Sequence, residues 1–261
     1  FTIGGVDWKR VKEFRSTDWQ LAGVWKRAQE AGDMRPFQSN IMGWWWTPTR
    51  PDQVGVNFTH INFVDATKAE DLTRATIEGR KQAYETIEVY RKYVPGMEQC
   101  YMVSTPNTIG LRESRRIHGL HTLTKEQVLG QATFDDSIGY GSFFIDIHNC
   151  DGPGMDRKTV RPDKGFKYQI PYGIIVPNDV GGLYVAGRCA SATHEALGSL
   201  RVMPQCGVMG QAAGVGAVLC LRDSVSPRDV ARDRLQGELR CQGCIVDEAD
   251  VARANAERSD P

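Results

Sequence analysis

The chain carries no excess of charge: 32 Lys plus Arg stand against 32 Asp plus Glu, a formal net charge of +0 at pH 7. Binding nucleic acid without sequence preference needs a basic face, and riding on anionic lipid needs the same, so neither partner is expected. No secretory leader is visible. The chain opens at Phe1 with no basic-then-apolar run, and the expectation is a processed subunit or a fragment, in the cytoplasm. Cysteine is scarce and odd in number: seven, scattered, too few for a disulfide scaffold, which points to a reducing compartment. Cys241 and Cys244 form a lone C-x-x-C with neither the second pair nor the nearby histidine of a zinc set, so no metal is expected. One stretch, 202–221, lacks charge and has about the length of a bilayer span. It holds Pro204, Gln205 and Gln211, few large aliphatics and much Gly and Ala, so it reads as a buried helix and no membrane span is expected.

What is present suits a folded chain, with 41% hydrophobic and 25% charged residues. Length allows one to two domains. Glycine is in surplus: 27 of 261 residues, about 10% against a usual ~7%, so somewhere the backbone needs close approach or positive φ.

Residues 17–31 predict a helix, with Thr17 and Gln20 at capping-box spacing and Leu21, Val24, Trp25 and Ala28 on one face. The aromatic run Ile41-Met42-Gly43-Trp44-Trp45-Trp46 reads as a core strand or as a substrate wall, with Trp45 the candidate contact. Residues 54–64 alternate as a strand whose phase change at Thr59-His60 suggests a bulge. Residues 68–94 form the strongest helical pattern, closed by Pro95-Gly96. Short strands are expected at 101–105, 143–148 and 168–176, and a buried parallel strand at 183–186. A charged helix is expected after Pro227, and a loose tail after about residue 245.

Chemistry concentrates after the 183–186 run, where a loop of small residues leads into the glycine-rich helix. Helix N-termini offer free N–H groups and partial positive charge, Gly198 and Ser199 would let a planar ligand approach, and His194 with Glu195 adds a titratable pair. Asp146 and His148 lie two apart on an expected strand, hence on one face. They suit an oriented carboxylate–imidazole pair for proton transfer, and equally a structural histidine held by a buried carboxylate. Asn149 follows at the strand end.

The segment Gly182-Leu183-Tyr184-Val185-Ala186-Gly187-Arg188-Cys189-Ala190-Ser191-Ala192-Thr193-His194-Glu195-Ala196-Leu197-Gly198-Ser199-Leu200-Arg201-Val202-Met203-Pro204 closely resembles the C-terminal flavin segment of a family of FAD-dependent oxidoreductases. Gly110-Leu111-Arg112-Glu113-Ser114-Arg115-Arg116-Ile117 and Ile145-Asp146-Ile147-His148-Asn149 resemble the same family, as does the opening Ile3-Gly4-Gly5-Val6-Asp7-Trp8. The resemblance implies an α/β, glutathione-reductase-like fold. This chain would be the C-terminal part of a two-domain FAD-binding oxidoreductase: a mixed-sheet substrate domain over 1–108, the returning strand and helix of the FAD domain over 109–222, and a C-terminal helix and tail over 223–261. It implies FAD held by Gly187, Arg188, Cys189, Glu195, Gly198, Ser199, Leu200, Arg201 and Val202, and hydride transfer from a small organic substrate to flavin. His194 and His148, with Asp146 and Asn149, are then the catalytic candidates. Arg112, Arg115 and Arg116 suit an anionic substrate or FAD phosphate, with Arg115 taken as the substrate contact, or they simply pair with Glu113. Members of the family open with a strand and Gly-x-Gly-x-x-Gly, and no such motif occurs here. The expected partner is therefore a second chain carrying that half, unless the sequence is a truncation. A non-catalytic scaffold that keeps the fold without cofactor is the alternative.

Overall fold

The computed structural model describes residues 1–37 and 43–258; Ile41 and Met42 of the aromatic run lie outside the described residues. The chain forms two compact units, one of Phe1–Leu111 with His148–Arg157, the other of Arg112–Ile147 with Lys158–Pro261.

The first unit contains β1 (Thr2–Gly4), α1 (Trp8–Arg15), α2 (Ala22–Glu30), β2 (Gly43–Thr47), β3 (Arg50–Asn57), α3 (Ala69–Tyr93) and β4 (Tyr101–Ser104). Its strands make one sheet in the order β2-β3-β1-β4 with every pairing antiparallel, not the mixed sheet expected. Helix α1, which the sequence pattern did not suggest, starts where the Asp7 carboxylate accepts the Arg10 N–H at 3.2 Å. The expected 17–31 helix begins later, at α2, because Leu21 adopts a left-handed φ of 52°. Thr17 does not cap it. Its hydroxyl donates to the Phe14 carbonyl at 2.7 Å behind α1, and Asp18 receives the Val24 N–H at 3.1 Å.

Helix α3 matches its pattern and buries Ala75, Ala83, Ile87 and Tyr90. The core of this unit centres on Trp25, stacked on Phe58 with ring centroids 4.3 Å apart. Strand β3 stops at Asn57, and no bulge forms at Thr59-His60. Buried Gln82 of α3 takes over the pairing there: its Oε1 accepts the His60 N–H at 2.8 Å and its Nε2 donates to the His60 carbonyl at 3.0 Å.

The second unit contains α4 (Lys125–Leu129), β5 (Ser137–Gly141), β6 (Tyr168–Pro171), α5 (His194–Leu200), α6 (Met203–Asp223), α7 (Arg232–Cys241) and α8 (Glu248–Arg258). Strands β5 and β6 pair antiparallel, and the expected 168–176 strand turns into a short 3₁₀ segment at Tyr172–Ile175. Residues 143–148 make only isolated bridges, at Ile145 and at His148. The 183–186 run is not a strand. Leu183 is 43% exposed, and among the described residues no strand pairs with the run. An apolar segment becomes a strand only beside a ladder partner.

Helix α6 is half-buried rather than wholly buried. Gln205, Met209, Ala212, Gly216 and Leu219 face inward. The opposite side carries Gly207, Gly210 and Gly214 between Met203, 88% exposed, and Leu221, 84% exposed. By length and composition alone α6 would cross a bilayer.

The expected loose tail contains α8, held by Asp250, whose carboxylate is 2% exposed. It accepts the Val246 N–H at 3.0 Å, Arg240 Nε at 3.1 Å and Arg253 Nη2 at 2.7 Å. Burial alone would raise this carboxyl's pKa, but those donors outweigh it and hold the group below the usual range.

Candidate functional site

In the second unit the backbone of 189–193 is stitched between two neighbours. The Ile117 N–H donates to the Cys189 carbonyl at 2.9 Å, Leu123 N–H to Ser191 at 3.1 Å, Thr193 N–H to Leu123 at 2.9 Å and Ser191 N–H to Ile174 at 2.9 Å. The stitching fixes Thr193 as N-cap of α5, its hydroxyl accepting the Ala196 N–H at 3.3 Å. His194 and Glu195 are thereby set on the first turn.

His194 Nδ1 lies 2.6 Å from Glu113 Oε2, and Glu113 Oε1 accepts Arg116 Nη1 at 2.6 Å. A carboxylate at Nδ1 favours the tautomer with its proton there and leaves the Nε2 lone pair as the ring's acceptor. The His194 side chain is 38% exposed, so a substrate proton can reach it. A second charge cluster forms around Asp146: Arg112 Nη1 meets its Oδ2 at 2.7 Å, and Arg201 Nη2 donates to its main-chain carbonyl at 2.6 Å. Burial lowers the Arg201 pKa and the Arg112 and Arg188 guanidinium groups add to that, while Asp146 and Glu113 oppose it. A guanidinium stays charged through such shifts, so Arg201 is a fixed, largely buried cation. Glu195 pairs with Lys158 at 3.5 Å; its own N–H and that ammonium hold its carboxyl below the usual range.

The 198–200 turn is packed inside the unit. A Cβ on Gly198 would lie 3.2 Å from the Asp146 carbonyl, so the close approach made at this glycine is to the chain's own backbone. Ser199 donates to the Phe143 carbonyl at 2.5 Å and shares a 2.8 Å hydrogen bond with the Tyr168 hydroxyl; Leu200 is buried beside it. Gly187 has a φ of +88°, Arg188 and Cys189 are exposed, and Val202 is the N-cap of α6. Arg115 is exposed and forms no ion pair among the described residues.

The other candidates belong to the first unit. His148 packs its ring edge-on against His60, centroids 5.3 Å apart. The Asn149 carbonyl oxygen accepts the Asp151 N–H at 3.0 Å, a turn-forming use of that side chain. Of the three tryptophans, Trp44 donates from Nε1 to the Tyr90 hydroxyl at 2.9 Å, whereas Trp45 is 57% exposed with its ring over Gly43.

Sequence reasoning treated Glu113 only as a partner for a neighbouring arginine. Its i,i+3 spacing to Arg116 carried that signal, but nothing local links it to His194, 81 positions on. The Gln82 clamp on His60 was invisible for the same reason.

The second unit also fits a large anionic cofactor. The α6 N-terminus has no side-chain cap, and Gln205 on its first turn is buried with Oε1 lacking any hydrogen-bond partner. Arg112, Arg188 and Arg201 share one electrostatic neighbourhood. Unsatisfied helix-end groups together with clustered guanidinium groups suit a ligand bearing both phosphates and a polar ring edge. Residues 1–239 match the family model described as FAD dependent oxidoreductase, and the chain belongs to that family, whose cofactor is FAD. No curated protein and no solved structure matched the chain.

Proposed function

We propose that this chain is half of a cytoplasmic FAD-dependent oxidoreductase that oxidises a small organic substrate by hydride transfer, completed by a second chain carrying the Gly-x-Gly-x-x-Gly half. The observation that carries the reading is the His194–Glu113–Arg116 relay at the head of α5. Two further features support the partner: the exposed apolar side of α6 and the 183–186 run without a neighbouring strand.

When bound, FAD supplies the acceptor for the hydride that leaves the substrate C–H bond. His194 takes the accompanying O–H or N–H proton at Nε2. Glu113 keeps the ring in register and stabilises the imidazolium that forms, and Arg116 holds Glu113 in place through its 2.6 Å contact. His148, beside Asn149, is the second candidate for proton transfer. Gly187, Arg188, Cys189, Glu195, Arg201 and Val202 hold the cofactor, and the exposed Arg115 meets the substrate.

The test is to purify the native assembly and follow flavin absorbance near ~450 nm, which substrate should bleach without oxygen. Colourless protein in complex with every partner chain sinks the reading and leaves a scaffold. In the coloured assembly, His194→Ala should slow flavin reduction by about 10²–10⁴-fold. An unchanged rate in His194→Ala and in His148→Ala removes both as bases.

A further inference from the structure

Helix α1 presents a face made of rings and cations. Trp8, Lys12 and Arg15 recur at spacings of four and three, which aligns them along one side. Lys12 Nζ lies 5.9 Å from the Trp8 ring centroid, and the Arg15 guanidinium lies 4.5 Å from that of Trp19 and 5.1 Å from that of Trp44. Trp8 and Trp44 are themselves 6.1 Å apart, so α1 and β2 share one surface. Trp46, two residues beyond Trp44, falls on the same strand face. Trp19 and Trp46 leave 69% and 46% of their surface open.

Indoles of this size are normally buried in cores or interfaces, and an open group of them marks a binding surface. The cations beside them are unspent. Arg10 is bound to Glu98 at 2.7 Å, but Lys12 and Arg15 form no ion pair among the described residues. Arg15 Nε is buried without a hydrogen-bond partner, and burial lowers the Arg15 pKa. Water has thus been stripped from part of this guanidinium and no carboxylate has replaced it, which strengthens its attraction for an incoming anion. Contact with two indoles also helps hold the guanidinium in place.

We propose that α1 and β2 form a binding face for a carboxylate-bearing sugar of the uronic acid class. The carboxylate meets the Arg15 fork and the Lys12 ammonium, and the C–H face of the sugar ring lies on the open indoles of Trp19 and Trp46. Cations alone would take any anion and indoles alone any ring; their interleaving selects a ligand with both. The surface lies wholly within the first unit and does not depend on the flavin reaction.

The experiment titrates the full chain with trigalacturonate and follows tryptophan emission, with maltotriose, benzoate and inorganic phosphate as separate arms. A saturable change with trigalacturonate and none with maltotriose is expected. Trp19→Ala, Lys12→Ala and Arg15→Lys should each weaken binding by about 3- to 10-fold or more, the range of a lost stacking or charge-assisted contact. Trp19 and Lys12 are surface residues, so circular dichroism of those two variants should be unchanged. The proposal is overturned by no saturable response to trigalacturonate, by equal affinity for benzoate or inorganic phosphate, or by unaltered affinity in Trp19→Ala and Lys12→Ala. None of these outcomes bears on the flavin reading, since none requires bound FAD.

Discussion

Two glycines of α6, less than two turns apart, should respond to alanine with opposite signs. A Cβ on Gly210 would meet nothing within 4 Å, whereas one on Gly216 would lie 2.6 Å from the Tyr184 hydroxyl and 2.9 Å from its Cζ. Tyr184 has little freedom to retreat. Its hydroxyl bonds to that of Tyr172, which donates in turn to the Pro227 carbonyl at 2.8 Å, and it also meets Cys220 Sγ at 3.5 Å. Both substitutions gain about 0.8–1 kcal/mol of helix propensity. At Gly216 that gain is set against overpacking of about 1–3 kcal/mol and a disturbed hydroxyl chain of about 1 kcal/mol. Gly210→Ala should therefore stabilise by about 1 kcal/mol and Gly216→Ala destabilise by about 1–3 kcal/mol. For a chain of this size the pair should separate by roughly 4–16 °C in thermal unfolding, on either side of the wild type. Circular dichroism melts with matching urea titrations read the effect directly. If both variants shift the same way, or Gly210→Ala fails to stabilise, the packing assigned to α6 is wrong. The proposed partner adds a second contrast: Gly210→Ala should weaken assembly with the other half while stabilising the chain alone.

Ser199→Ala should destabilise by about 1–2 kcal/mol, because it strands the wholly buried Tyr168 hydroxyl; combining it with Tyr168→Phe should cost less than the sum, and strict additivity in urea would refute the bond's importance. The depressed Asp250 carboxyl contributes stability in full above its unfolded value of about 3.9 and loses it as pH falls through the lower folded value. Acid should accordingly release α8 in that window, seen as faster hydrogen exchange, and Asp250→Asn should release α8 already at neutral pH, seen also as cleavage after Arg253 by brief proteolysis. An α8 equally protected in Asp250→Asn would show that the carboxylate is dispensable. Glu113→Gln keeps the size of the side chain but not its charge, so flavin reduction should slow less than in His194→Ala, and equal rates in Glu113→Gln and wild type would dismiss the relay.

Local pattern was a sound guide where structure is local. The 3.6-residue repeat of α3 survives almost intact, whereas the alternation at 54–64 marks only the last residues of β3, which runs from Arg50 to Asn57, and α5 forms within a stretch that reads as a loop leading to the helix at 202. Wherever pairing depended on a distant strand, the reading went astray. The 183–186 run has the composition of a buried strand but forms no ladder, and Ile145 and His148 are left as isolated bridges. Leu21 went unread because a left-handed leucine has no sequence signature. Within the candidate site, residue types were visible and partnerships were not: His194 stood out at once, Glu113 only when folding brought it across 81 positions. Composition likewise misjudged α6, since small residues mark close approach without saying what approaches.

That open side of α6 ties the fate of the chain to supply. Apolar surface left uncovered is what chaperones and proteases sort on, and anything that covers it stabilises the chain by mass action. If the proposed second chain covers that side, copies made in excess of it would be the ones removed, and the abundance of the two would be matched after synthesis rather than by it.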